Sequence, residues 1–174
     1  MQVVDWQIII EKHGPGVWQT AYRLLGNHAD ASDCFQETFV CALKVCRRQK
    51  VKSFPALLTR LATTRAIDQL RRRFRQEANN SITEYEPPNL NRIMNPANLA
   101  LQQELAEKLR KALCQLPVQE AEVFCLRHLN DMSYRRIAEE LDIKTNAVGV
   151  LLHRAKEKLQ KSLSHSQSRQ KSEV

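Results

Sequence analysis

Apolar residues recur three and four positions apart along most of this 174-residue chain, and strand-like alternation is almost absent. That period predicts an all-α fold. A first helix is expected over residues 4–13, broken by Gly14, Pro15 and Gly16, and a second over 16–25, ended by Gly26 and Asn27. A third should run from Ala29 to Arg48. A fourth should open at Ser53 and Pro55, an N-cap and an early proline, and reach Arg75. The pattern then lapses. Residues 76–95 carry Asn, paired Pro, and Glu77, Glu84 and Glu86 against Arg92, as a linker does. Helical spacing resumes over Pro96–Cys114, after Pro117, after Ser133 and from Asn146 onward, before a polar, frayed tail at 164–174. The expected architecture is two small helical domains, 1–75 and 96–163, joined by a flexible linker at 76–95.

The C-terminal unit reads as a helix-turn-helix. In "IAEELDIKTNAVGVLL", residues 137–152, Ser133 suits the N-cap of a short helix whose inner side is Ile137, Ala138 and Leu141. "DIKT" makes the turn, Asp142 tolerates its left-handed geometry, and Thr145 is expected to cap the next helix. There Val148, Leu151, Leu152, Ala155 and Leu159 form a buried stripe. Asn146, Gly149, Val150 and His153 fall opposite, followed by Arg154, Lys156 and Lys158. A small, polar, cationic face of this kind suits a DNA major groove, the small residues permitting close approach and the cations meeting phosphate.

Charge strengthens that picture. Lys and Arg outnumber Asp and Glu by 27 to 19, a formal charge of +8, which suits a polyanionic partner. The basic density peaks from Arg47 to Arg75. There Arg60, Thr64, Asp68, Arg71 and Arg75 share the face opposite the core positions Phe54, Leu58, Leu61, Ala62, Ala66, Leu70 and Phe74. No apolar run approaches the ~20 residues that span a bilayer, and "VVDWQIII" is too short for a signal-peptide core, so a cytoplasmic chain without membrane insertion is expected. The five cysteines form no CxxC pair and have no histidine at zinc-finger spacing, so reduced, buried thiols are expected and no metal. The five histidines are scattered and no phosphate-binding glycine loop occurs. Neither an enzyme nor a cofactor site is expected.

In "DASDCFQETFVCALKVC", Phe35, Phe39, Ala42 and Cys46 line one side of a helix, and Asp33, Gln36, Glu37 and Lys44 the other. Taken alone, these acids also suit a solvated helix start, favoured by the dipole.

Together these stretches resemble a bacterial sigma factor of the extracytoplasmic-function (ECF) group, in the sigma-70 family, over roughly residues 5–163. "AYRLLGNHADASDCFQETF" resembles the region that meets core RNA polymerase, through a D-x-x-Q-E-x-F pattern that here is Asp33, Gln36, Glu37 and Phe39. "FPALLTRLATTRAIDQLRRR" resembles the part that opens and reads the promoter −10 element. For that part the resemblance implies Lys50, Lys52, Ser53, Phe54, Thr63, Thr64, Arg65, Arg71 and Arg72. A flipped base would be read there by edge hydrogen bonds and backbone cations. The last helices resemble the region that reads the −35 element, implying Ser133, Arg135, Lys144, Thr145, Asn146, Ala147, Gly149, Val150, His153 and Arg154. Thr64 stands where the family often has Asn, and Ala147, Gly149 and Val150 replace a more polar pattern, so no −35 preference is legible. Implied partners are core RNA polymerase, promoter DNA and an anti-sigma factor.

Two other readings stay open. A conventional helix-turn-helix regulator would use residues 133–160 identically but bind duplex DNA without polymerase, as a dimer. It leaves the D-x-x-Q-E-x-F face and the basic helix unexplained. A mimic that only sequesters a protein partner would not need so many outward cations.

Overall fold

The computed structural model of the protein describes residues 4–79 and 96–170; residues 80–95, most of the expected linker, and 171–174 lie outside the described residues. The described chain is helical: α1 (Trp6–Leu25), α2 (His28–Arg48), α3 (Phe54–Asn79), α4 (Pro96–Gln115), α5 (Val118–His128), α6 (Tyr134–Leu141) and α7 (Thr145–Gln170).

One helix, not two, occupies residues 6–25, with Pro15 inside it. A proline forgoes one backbone hydrogen bond. Here the apolar stripe runs on either side of it, from Trp6 and Ile9 to Val17, Ala21 and Leu24, and packing of that stripe outweighs the lost bond. Gly14 is buried at the crossing with α2, where a Cβ would stand 3.5 Å from the Phe35 ring. Asp5 caps α1 by accepting from the amides of Gln7 and Ile8 at 3.0 and 3.3 Å. Gly26 ends α1 with φ 76°, and Asn27 starts α2 by accepting from the Asp30 amide at 2.8 Å.

Two further boundaries differ from expectation. The first part of the expected linker, 76–79, continues α3, where the Arg73–Glu77 pair at 3.8 Å supports the added turn. The expected frayed tail is helical through Gln170. Thr145 is the first residue of α7 rather than its cap, since the Lys144 carbonyl accepts from the amides of Ala147 and Val148 at 2.9 and 3.3 Å.

Three apolar clusters hold the fold. Val17, Phe39, Ala42, Leu58 and Ala62 join α1, α2 and α3. Val123, Leu126, Ile137, Ala138, Val148 and Leu152 join α5, α6 and α7. The third spans both halves of the chain. Leu24, Leu25, Ala66, Ile67 and Leu70 from α1 and α3 pack with Leu113, Leu116, Cys125, Ala155 and Leu159 from α4, α5 and α7. The two helical units therefore share a core, and α3 is buried on two sides.

Candidate nucleic-acid interface

The helix-turn-helix is built from its caps outward. The Ser133 hydroxyl accepts from the Arg136 amide at 3.2 Å, and Asp142 ends α6 in the left-handed region, φ 53° and ψ 48°. The Ile143 amide then donates to the Ala138 carbonyl at 3.0 Å, closing the turn. Buried Ile137, Val148, Leu152 and Ala155 anchor α6 and α7, so the opposite face of α7 must point outward. Lys144, Thr145, Asn146, Val150, His153 and Arg154 are exposed there, with Ala147 and Gly149 half-buried between them. Arg135 is exposed and pairs with Glu139 at 3.2 Å. Tyr134 and Arg127 escaped the sequence reading: Tyr134 borders the same hollow as Thr145, Asn146 and Val150, and the Arg127 guanidinium lies 5.7 Å from its ring centroid.

A second surface lies between α2 and α3. Asp33, Gln36, Glu37 and Lys44 on α2 face Arg65, Gln69 and Arg72 on α3 across an open cleft of about 690 Å³. The helix period fixes this division: Cys34, Thr38 and Ala42 are buried, so the acids must lie outside. Arg65 donates to the Cys41 sulfur at 3.2 Å. Burial works against the charge on Arg65, but that hydrogen bond and the nearby acids raise its pKa further still. Val40, 51% exposed on the same face, also went unread. Its signal was an apolar residue four positions after Gln36 amid polar ones. Phe39 turns inward to Val17, Ala42 and Leu58 and supports the face from beneath.

The residues matched to the −10 element are divided. Lys50 and Lys52 are exposed in the α2–α3 connection. The Ser53 carbonyl accepts from the Leu57 amide at 3.1 Å at the start of α3, and Phe54 packs edge-on to Trp6 at 6.2 Å. Arg65 and Arg72 belong to the acidic cleft. The rest do not form the solvated face expected for α3; they meet the C-terminal half. Thr63 is fully buried, and the Asn130 amide donates to its hydroxyl at 3.3 Å. Thr64 donates to the Glu122 carboxylate at 2.7 Å, Arg60 to the Glu140 carbonyl at 2.8 Å, and Arg71 to the Leu116 carbonyl at 2.8 Å. Burial at this seam raises the Glu140 carboxyl pKa, with Arg60 and Arg136 pulling it back.

Of the five thiols expected to be buried, Cys34 and Cys125 are, whereas Cys41, Cys46 and Cys114 are only partly covered because each lies at the edge of its helix's apolar stripe. Burial pushes Cys34 up to about 11 and Cys125 up to about 12, so both stay protonated and pack as small apolar groups. Among the described residues, no group of three or more metal-ligating side chains gathers, and no helix is long and apolar enough to cross a membrane.

Comparison with known proteins gives a consistent result. The family Sigma-70 region 2 matches residues 9–76, and Sigma-70, region 4 matches residues 106–159. The ECF RNA polymerase sigma factor SigE of Mycolicibacterium smegmatis is 29% identical over 168 residues, covering 94% of this chain. The chain spans 63% of that relative's own length. SigW of Bacillus subtilis, also an ECF RNA polymerase sigma factor, is 26% identical over 163 residues, covering 89% of this chain and 87% of SigW. Two solved structures share the fold. One is the sigma factor RpoE in complex with the anti-sigma factor NepR from Bartonella quintana, with a TM-score of 0.55, 20% identity, and 93% of this chain and 98% of that chain covered. The other is CnrH in complex with the cytosolic domain of CnrY, with a TM-score of 0.57, 22% identity, and 91% and 87% covered.

Proposed function

The chain belongs to the sigma-70 family, in its extracytoplasmic-function group, and from that premise we propose that it binds core RNA polymerase and directs promoter-specific transcription initiation. It works as a cytoplasmic, non-enzymatic specificity factor. Residues up to the end of α3 at Asn79 dock on polymerase and hold the −10 element, and 96–163 read the −35 element.

The observation that carries this reading is the α2–α3 cleft. Exposed Asp33, Gln36 and Glu37 stand beside Val40 and opposite Arg65 and Arg72, an amphipathic surface with a central apolar anchor. Interfaces concentrate their binding energy in such centres. A regulator that binds duplex DNA by itself needs the α6–α7 face but has no use for this one. Co-elution with sigma-free core polymerase tests the reading. A stoichiometric complex is expected. Gln36→Ala with Glu37→Lys should weaken it by about tenfold or more while leaving the melting temperature unchanged. A dimer that binds duplex DNA and ignores polymerase would overturn it.

The buried state of Thr63 adds a step. A base cannot reach Thr63 or Thr64 while Asn130 and Glu122 hold them, so the halves separate before the −10 strand is engaged. The described packing is then the resting form of the free factor. An anti-sigma factor is a natural regulatory partner: RpoE and CnrH, which share the fold, were each solved with a bound protein, NepR and CnrY.

A further inference from the structure

Among the described residues, the exposed positions of α7 are polar except at one point. Asn146 lies one turn before that point and His153 and Arg154 one turn after it; between them stands Val150, 50% exposed. It takes no part in the core, which draws on Val148, Leu151 and Leu152 from the other side of the helix. A second exposed apolar surface lies close by. Tyr134, the first residue of α6, is 40% exposed, and its ring comes within 3.8 Å of where a Cβ on Gly149 would be. The Arg127 guanidinium packs over that ring. The tyrosine ring and the valine methyls thus border one open hollow of about 520 Å³, with donors along its rim.

A lone exposed valine needs no explanation. An exposed valine beside an exposed ring, set among donors in the middle of the face that meets DNA, invites one. The major-groove edges of the bases are selective here. Guanine offers two acceptors, adenine an acceptor and a donor, and cytosine a donor. Only thymine adds an apolar group, the C5 methyl. Neither the valine nor the ring face can satisfy a polar edge, and pressing either against one would strand it without water.

We propose that Val150, with the Tyr134 ring as its wall, reads the C5 methyl of a thymine, so that the −35 element carries a T·A pair at this position. The proposal rests on the promoter reading above and adds a base preference to it. Shielding one methyl from water is worth about fourfold in affinity.

Deleting the methyl from the DNA tests this without altering the protein. Core polymerase loaded with the full chain would select duplexes from a library randomised in the −35 region. The selected duplex is then remade with deoxyuridine at each thymine in turn. One position is expected where uracil weakens binding about fourfold. The Val150→Ala holoenzyme should bind the thymine and uracil duplexes equally, at the weaker affinity. Because Val150 is exposed, this variant should melt like the parent chain. Equal binding of both duplexes by the unaltered holoenzyme would overturn the proposal, as would a uracil penalty that persists in Val150→Ala. Failure of the chain to load onto core polymerase, before any duplex is added, would instead remove the promoter reading and the contact with it.

Discussion

On α3, Thr63 is sealed and Arg60, Thr64 and Arg71 end on acceptors of the C-terminal half; on α7, Asn146, Val150, His153 and Arg154 face solvent. Both helices look alike in outline: an apolar stripe on one side, cations and small polar residues on the other. The difference lies in what each must cover. Through α5, α6 and α7 the helix-turn-helix closes a core of its own around Ile137, Val148 and Leu152, which leaves its outer face free. In contrast, α3 carries apolar residues on more than one side. Leu58 and Ala62 go to the N-terminal core, while Ile67 and Leu70 join a cluster that reaches into the other half. A helix apolar on two sides is covered twice, and the polar side chains between the stripes are drawn into the seam.

Four substitutions would break or sharpen this contrast. Leu70→Ala should act most strongly, since it opens a cavity where both halves meet. A loss of about 2–5 kcal/mol is expected in urea unfolding, still as one transition. Two separate transitions would show that the halves do not stabilise each other. Next is Arg110→Ala. Arg110 donates to the Leu24 carbonyl at 2.7 Å and pairs with Glu107 at 3.3 Å, so it ties α4 to the end of α1. Its removal should cost about 1.5–3 kcal/mol and speed hydrogen exchange in both helices, and unchanged exchange would argue against the tie. Glu122→Ala removes the acceptor that ties the Thr64 hydroxyl to the C-terminal half, leaving only the Arg60 carbonyl of its own helix at 3.0 Å. With a loss of about 1 kcal/mol from the closed form, single-stranded −10 DNA should bind up to about fivefold more tightly. A filter-binding titration showing no gain would mean that the seam does not guard α3. Arg154→Ala, on the open face, should touch neither stability nor opening. It should weaken duplex binding across sequences and lower the salt-dependence slope by about one.

Much of this was legible in the residues. Ser133, Asp142 and the Val148–Leu159 stripe lie where the helix-turn-helix spacing places them, with Leu151 partly buried and the others buried. The acids of α2 are outward because Cys34, Thr38 and Ala42 are inward, a division the 3.6-residue period makes plain. Pro15 is a breaker by local chemistry alone, and the packing that carries α1 past it comes from distant residues. The seam was illegible for a different reason. Periodicity tells which face of a helix is apolar, but not which distant segment covers it. Thr63 and Thr64 are small enough to serve equally as a wet DNA contact or a buried hydrogen-bond partner.

The shared core also has a consequence for concentration. A partner that must hold the halves apart binds only the open fraction, so its apparent affinity is the intrinsic one multiplied by that fraction. Each ~1.4 kcal/mol by which Leu70, Leu113 and Leu116 favour closure dilutes that affinity tenfold. The packing thus sets a threshold. Scarce factor ignores weak, stray sites, and only a partner with enough grip to replace the lost core recruits it.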